Sequence, residues 1–556
     1  MQLGPEWNSS RTDASKQEKT PFWEFKQLPL NSTHWQVRAR YLADVALKRQ
    51  NLLSTPWLED IYTLHLARLG LMLADHYYSS LPVHPEIGDT GFPLFANTDH
   101  LTGKQKQRLD EHLLGVESNA RRIIQTLPTL ERSLPRIARH KGFKQRSVDG
   151  RYRWQDNAYD LACSIRGQAA ANGFFGVNMA STGCGKTFAN ARIMYGLADP
   201  VKGARFTIAL GLRTLTLQTG EAYRTRLGLE SDDLAVMIGS TAVKSLFDLG
   251  TDTKEELQIQ ASGSESSESL LPTDYSYVHF DGTLDIGPLG QWIQNTPHAR
   301  SLIAAPILTC TIDHLIGATE ATKGGRQIAP MLRLLTSDLV LDEPDDFDIA
   351  DLPALTRLVH WAGLLGCKIL LSSATLPPSL VEGLFQAYSA GRAQYQKARG
   401  IPGLPVNICC AWFDEHNNSA TASYHQESSN YRQAHDEFVA SRLKKLQGAP
   451  IRRRAVIVPI TSKSQQKKEI RNDIAKELHT LLHQLHKNHH SIDPQTRKQV
   501  SFGLIRLANI DPLIDIAQNL FSLGAEQNHQ IRLCCYPELC QLVPKLRTQE
   551  VAEPRL

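Results

Sequence analysis

The chain is 556 residues long, 41% hydrophobic and 21% charged, with a formal net charge of +4. That balance excludes collagen-like, disulfide-scaffold and intrinsically disordered chains, and it is too close to neutral to mark a nucleic-acid binder by itself. The length leaves room for about three or four domains. Nine cysteines are scattered without a Cys-x-x-Cys pair, which argues against a zinc ribbon and for a reducing, cytoplasmic setting. Residues 1–20 are polar and lack the apolar core of a signal peptide. The apolar run from Ser301 to Ala318 is interrupted by Pro306, Asp313 and His314, so no membrane span is expected.

In chain order, apolar residues at helical spacing predict helices over Trp35–Leu53, Ile61–Tyr78 and Gln107–Leu127. A Pro/Gly/Asn-punctuated loop is expected over Leu81–Thr102. Arg121–Arg153 is rich in Arg and Lys; a solvated helix face with a linker and a DNA-facing surface are both open readings. Beyond residue 150 short apolar strands alternate with helices, at Phe174–Met179, Arg205–Leu210, Leu234–Ile238, Leu302–Pro306, Asp338–Leu341 and Lys368–Leu371. This is the pattern of a parallel sheet covered on both faces. Thr251–Ser269 has little apolar content and reads as a disordered insertion. A shorter series follows, with strands expected at Ala455–Ile460, Gly503–Ala508 and Gln530–Cys535 and helices at Lys463–Leu485 and Asp511–Leu523. The expected fold is α/β: a helical region over 1–150, a RecA-like ATP-binding lobe over 151–390, and a linker with a partial second RecA-like lobe over 391–556.

The strand at Phe174 runs into Ala180-Ser-Thr-Gly-Cys-Gly-Lys-Thr187 and then a helical stretch. Strand, glycine-rich turn and helix form a phosphate-binding loop, in which Ser181, Thr182, Gly183, Cys184 and Gly185 offer backbone N–H groups. Lys186 is expected to neutralise the outer phosphates of ATP, and Thr187 to hold Mg²⁺ through its hydroxyl. Ser337-Asp-Leu-Val-Leu-Asp-Glu-Pro-Asp345 is an apolar strand ending in carboxylates. Asp342 is assigned to Mg²⁺, Glu343 to the attacking water and Asp345 to coupling with motion. A further strand ends in Ser373-Ala-Thr375, whose hydroxyls can link the carboxylates to a DNA surface, and Gln155 precedes the loop by a helix's length, where it could read the adenine edge. An acidic turn is the competing reading of Asp342–Asp345 taken alone; the order and spacing of the four elements together favour the nucleotide site.

Loop, DExD box and SAT in this order resemble the superfamily 2 DEAD/DEAH helicases. Phe206–Gln218, Ala304–Leu315 and Cys410–Glu415 are similar to one branch, the signature helicase-nuclease of type I CRISPR systems in its type I-F form. The resemblance covers most of residues 30–535. It implies an ATP-dependent motor that is recruited by an RNA-guided CRISPR surveillance complex and reels in single-stranded DNA 3′ to 5′. It also implies DNA-backbone contacts from Arg213, Thr214, Gln218, Thr309 and Thr311. The family's metal-dependent HD nuclease needs an adjacent His-Asp pair ahead of the motor, whereas here the one His-Asp dipeptide is His435-Asp436. Asp75 in Leu73–Ser79 resembles the last ligand of that nuclease, so residues 1–150 read as its remnant, without nuclease activity. His112 is expected to be structural. No Gln-x-x-Gly-Arg-x-x-Arg arginine-finger motif occurs, so the chain is expected to be truncated at both ends and to hydrolyse ATP slowly. Two other readings stay open, a non-catalytic remnant that binds ATP or partners and a DEAD-box-type RNA helicase. His479, His483, His486, His489 and His490 are expected on a solvent-facing basic helix.

Overall fold

In the computed structural model eight strands form one sheet in the order β3-β4-β2-β5-β6-β1-β7-β8. The structure describes residues 28–53, 59–99, 102–211, 213–230, 232–237, 289–291, 293, 297–319, 324–347, 349–416, 422–425, 428–450, 455–507, 510–526 and 529–532. The insertion expected over Thr251–Ser269 lies outside them, as do the last three residues of Gln530–Cys535 and all of Tyr536–Leu556. The chain divides into two units, Met1–Ala449 and Pro450–Leu556.

Strands β1 (Phe174–Asn178), β2 (Phe206–Leu210), β3 (Leu234–Met237), β4 (Ile307–Thr311), β5 (Asp338–Asp342), β6 (Ile369–Ser372) and β7 (Ile408–Phe413) are parallel where they pair, and β8 (Ala422–His425) closes one edge antiparallel to β7. Both faces of the parallel sheet are covered, which is why its strands read as nearly unbroken apolar runs. Alternate side chains feed two cores. Phe175, Val177, Leu308, Cys310, Leu339, Leu341, Ile369, Leu371 and Trp412 pack into one, and Phe174, Phe206, Ile208, Val340, Leu370 and Phe413 into the other.

The N-terminal helices are α1 (Thr33–Lys48), α2 (Ile61–Ser80) and α3 (Leu109–Thr126). Leu66, Leu69 and Leu73 of α2 and Ile123 of α3 belong to the first core, so α2 and α3 pack on the same hydrophobic mass as the sheet. The second face carries α4 (Arg153–Asn172), α5 (Lys186–Leu197) and α6 (Arg213–Leu227). Helices α7 (Pro297–Ala304), α8 (Gly324–Thr336), α9 (Leu352–Leu365), α10 (Pro378–Arg399) and α11 (Ser428–Gln447) complete the unit.

One strand is displaced from its expected place. Leu302–Pro306 was expected to be extended, yet Pro297–Ala304 is helical and the strand is Ile307–Thr311. The apolar run carries no periodicity that separates a buried helix from a buried strand, and Pro306 ends the helix because the residue before a proline is pushed out of the helical region. In the second unit, α12 (Lys467–Asn488) and α13 (Ile510–Leu523) pack through Ala475, Ile516 and Leu520. The segments 455–460 and 503–507 are not strands; among the described residues of that unit the strands are the two-residue pair Ser491–Ile492 and Gln499–Val500. A β-pattern becomes a strand only where a neighbour accepts its backbone hydrogen bonds.

Candidate nucleotide site

The site lies at the carboxyl ends of β5, β6, β1 and β7, four consecutive neighbours in the sheet. After β1 the chain turns through Met179–Gly185 and enters α5 at Lys186. The turn needs two left-handed residues, Gly183 at φ 84° and Gly185 at φ 81°, where a Cβ is disfavoured. At Gly185 a Cβ would also stand 2.5 Å from Gln155 Nε2. Ser181 and Cys184 are half-buried and Thr182 is exposed, with Cys184 N donating back to the Ser181 carbonyl at 3.1 Å. Gln155 is buried and donates to the carbonyls of Cys184 and Gly185 at 3.4 and 3.2 Å, while Trp154 Nε1 reaches the Cys184 carbonyl at 3.1 Å. Gln155 is thus packed against the loop's backbone in this structure.

Lys186, buried to 8% exposure, pairs with Glu343 at 2.7 Å. This contact joins the phosphate loop to the end of β5 across 157 residues of sequence. A second line runs underneath. Asn178 Nδ2 donates to Asn190 Oδ1 at 2.7 Å, and Asn190 Nδ2 donates to Ser372 Oγ at 2.8 Å and reaches Asp342 Oδ1 at 3.5 Å. Thr187, half-buried, sits between Lys186 and Asn190 on α5. Burial lifts the Asp342 carboxyl to about 6, Glu343 adds to the lift, and Ser372, Lys186 and Asn190 oppose it. Glu343 has φ 52° and ψ 54°, a left-handed backbone that is rare for a residue with a side chain and collects at functional sites. Asp345 accepts a hydrogen bond from Thr375 Oγ1 at 2.5 Å, and Ser373 Oγ lies 3.4 Å from Thr375 Oγ1. Ser373 is fully buried and Thr375 exposed.

The residues assigned to DNA are dispersed. Arg213 and Thr214 open α6 directly after β2, and Gln218 is exposed on that helix. Thr309 and Thr311 lie inside β4, not beyond its end as expected from the misplaced strand, and both are buried with hydroxyls that make no hydrogen bond. In this conformation neither hydroxyl reaches the surface.

The expectations gave Glu415, named only within the Cys410–Glu415 segment, and Arg442 no role in the site. Asp414 and Glu415 follow β7, and Glu415 Oε2 accepts the Ser181 backbone N–H at 3.0 Å. Arg442 of α11 donates to Glu415 at 2.8 Å and to Ser181 Oγ at 3.0 Å. The signal was available: an apolar strand ending in two carboxylates, the same pattern that drew attention to Asp342 and Glu343. Asn190 and Ser372 were also unmarked, since an amide within a helix and a serine in an apolar run carry no distinguishing pattern.

His112, expected to be structural, lies 3.0 Å from Asp75 through Nε2 and 3.0 Å from Gln107 Oε1 through Nδ1. The His435 ring, at the one His-Asp dipeptide, is buried and accepts a hydrogen bond from Trp412 Nε1 at 3.1 Å. The histidines of α12 contact the segments that follow it, His479 at the Gly524 carbonyl and His486 at Ser501 Oγ.

A parallel sheet whose first strand opens a phosphate loop, with the SAT strand bonded beside it and the DExD strand next beyond, defines a RecA-like nucleotide-binding lobe of the helicase type. No protein-family model matches the chain. It is 52% identical over 534 residues to the CRISPR-associated nuclease/helicase Cas3 subtype I-F/YPEST of Pseudomonas aeruginosa (strain UCBPP-PA14), with 96% of this chain and 49% of that protein covered. It is 49% identical over 540 residues to the protein of the same description from Pectobacterium atrosepticum (strain SCRI 1043), again with 96% and 49% covered. Over nearly its whole length the chain is thus similar to Cas3 helicase-nucleases of subtype I-F, and it spans about half the length of the curated relatives it matches. Among solved structures, T. fusca Cas3 gives a TM-score of 0.37 at 18% identity, covering 68% of this chain and 37% of that one. Its ADP form gives 0.31 at 18% identity, covering 54% and 28%. At these scores the structural likeness adds nothing to the assignment.

Proposed function

We propose that the first unit is the ATP-binding motor lobe of a CRISPR-interference helicase that translocates on single-stranded DNA. The observation that carries this reading is the Lys186–Glu343 contact at 2.7 Å, which puts the lysine and the carboxylate of a phosphoryl-transfer site in one pocket. On ATP binding, Lys186 leaves Glu343 for the outer phosphates and frees that carboxylate to orient the attacking water. The donor set fits Mg²⁺: Thr187 offers a hydroxyl and Asp342 a carboxylate whose burial disfavours its charge until a cation compensates. No group of three or more His, Cys, Asp or Glu side chains suited to a metal occurs among the described residues, and magnesium bound through one or two protein oxygens, water and phosphate needs none. When bound, the ion neutralises charge on the phosphates; the residues of this chain position it.

The DNA track runs past the first turn of α6, where Arg213 and Thr214 stand at a helix N-terminus suited to phosphate, and on to Gln218 and Thr375. Such contacts are independent of base sequence, as translocation requires. The Asp345–Thr375 hydrogen bond links the DExD strand to that track. The family relation supports an RNA-guided surveillance complex as the partner that delivers the strand. We further propose that this chain by itself turns ATP over slowly, since its sequence contains no arginine-finger motif and loss of such a group costs on the order of 10³-fold. We also propose that it does not cut DNA, with Asp75 engaged by His112. Wild-type protein should bind a fluorescent ATP analogue with magnesium and Lys186→Ala should not. Equal binding by the two would reject the site, rapid DNA-stimulated turnover would reject the slow-turnover part, and manganese-dependent cutting of single-stranded DNA would reject the last part.

A further inference from the structure

The phosphate loop is held by side chains at both ends. Trp154 and Gln155 hold the carbonyls of Cys184 and Gly185, while Ser181 is held through both its backbone N–H and its hydroxyl. That second hold is assembled from distant pieces. Glu415 follows β7, which lies directly beside β1, with Phe413 in register with Asn178 and the Met179 N–H donating to the Phe413 carbonyl at 2.9 Å. Glu415 Oε2 accepts from the Ser181 N–H at 3.0 Å, and Oε1 takes the Ser181 hydroxyl. Arg442 completes the ring, with Nη1 on Glu415 Oε2 at 2.8 Å and Nη2 on Ser181 Oγ at 3.0 Å.

Charge neutralisation alone does not account for this arrangement. Arg442, buried to 4% exposure, already has Asp414 at 3.3 Å. Glu415 is a second carboxylate on the same guanidinium, and both its oxygens are directed at one loop residue. Burial pushes the Glu415 carboxyl up, but the hydrogen bonds from Arg442 and Ser181 outweigh it and hold the group at about 2, so it stays ionised at neutral pH.

Resting on the nucleotide-site reading, we propose that Glu415 and Arg442 are positioning residues for ATP: through Ser181 they fix the entry of the phosphate loop, so that its N–H groups are set before the triphosphate arrives. A loop ordered in advance loses less freedom on binding, and the difference appears as affinity. Neither residue touches the phosphates; each acts through Ser181. The arrangement demands a fork as well as a charge, because one guanidinium must meet a carboxylate and a hydroxyl together.

The test is equilibrium binding of a fluorescent ATP analogue with magnesium to full-chain protein, alongside thermal unfolding without nucleotide. Glu415→Gln and Arg442→Lys should each weaken binding by roughly ten-fold, within the usual range for coupling between groups that act through one another. Arg442→Lys keeps the charge and should not rescue. Ser181→Ala, on a half-exposed turn that leaves the core untouched, should weaken binding similarly, and the Ser181→Ala/Arg442→Lys double variant should bind no worse than the weaker single. Binding within two-fold of wild type in Ser181→Ala and Arg442→Lys, or additive losses in the double variant, overturns the clamp and leaves the nucleotide site standing. A wild-type chain that binds no more nucleotide than Lys186→Ala overturns both.

Discussion

Glu343 adopts a backbone conformation that a side chain disfavours, at φ 52°, and the cost is on the order of 1 kcal/mol or more. Such strain collects at functional sites and marks Glu343 as a candidate for one. Glu343→Gly and Glu343→Ala both remove the Lys186 contact, so their difference isolates the backbone: the glycine variant should be more stable by about 1 kcal/mol in urea unfolding. Equal stabilities would show that the turn holds no strain. His435 reads differently from its sequence neighbourhood. Burial holds its imidazole down at about 4, against an ordinary value of 6.5. Between those values the unfolded chain binds a proton that the folded one does not, so stability should fall as pH drops from 6.5 to 4 and level off below, by up to about 3 kcal/mol. His65, also held at about 4 by burial, contributes with the same sign. The comparison with His435→Gln, which keeps an acceptor for Trp412 but does not titrate, extracts the His435 share; parallel pH profiles for the two proteins would refute it. At this scale the phosphate loop and the DExD carboxylates were legible because each is a run of unusual residues at the end of an apolar strand. Arg442 was not, since it sits in a polar helix and meets Ser181 only across 261 residues of sequence.

Among the elements, α7 shows how a misread segment is stabilised. Its last carbonyls point at two buried arginines. Arg333 donates to Leu302 and Pro306 at 3.2 and 3.1 Å, and Arg205 donates to Ala305 at 3.0 Å. Cations belong at a helix C-terminus, where unpaired carbonyls gather. Arg333 also donates to Thr207 Oγ1 at 2.7 Å and the Phe206 carbonyl at 2.8 Å, tying the helix end to β2. Burial and the repulsion between the two guanidiniums lower Arg205, and burial brings Arg333 down to about 9. Arg333→Met should destabilise the unit by roughly 2–4 kcal/mol, because it leaves several buried carbonyls without donors; a loss below 0.5 kcal/mol in urea unfolding would refute this cap. No residue pattern revealed this bracing, which depends on where α8 places Arg333. The strands expected at Ala455–Ile460 and Gly503–Ala508 are not formed over the described residues 455–460 and 503–507 for a related reason: a propensity for extension specifies no partner.

Across the whole molecule, the boundary between the two units falls after Ala449, next to Arg452-Arg-Arg454. Brief trypsin treatment should therefore release a fragment ending at one of those arginines, and its absence among early products would argue against the division. Strands β7 and β8 lie beyond the expected border at residue 390 yet belong to the first unit's sheet. Strand connectivity is not legible from local pattern, because parallel neighbours are seldom neighbours in sequence. That has a consequence for the birth of the protein. Strand β1 is flanked by β6 and β7, and Ser181 must await Glu415, made 234 residues later. During synthesis the segment Phe174-Phe-Gly-Val-Asn-Met179 therefore emerges from the ribosome long before either flank exists. At about 5–20 residues per second that interval lasts on the order of ten seconds or more, during which a sticky, unpaired stretch needs shelter from its own kind.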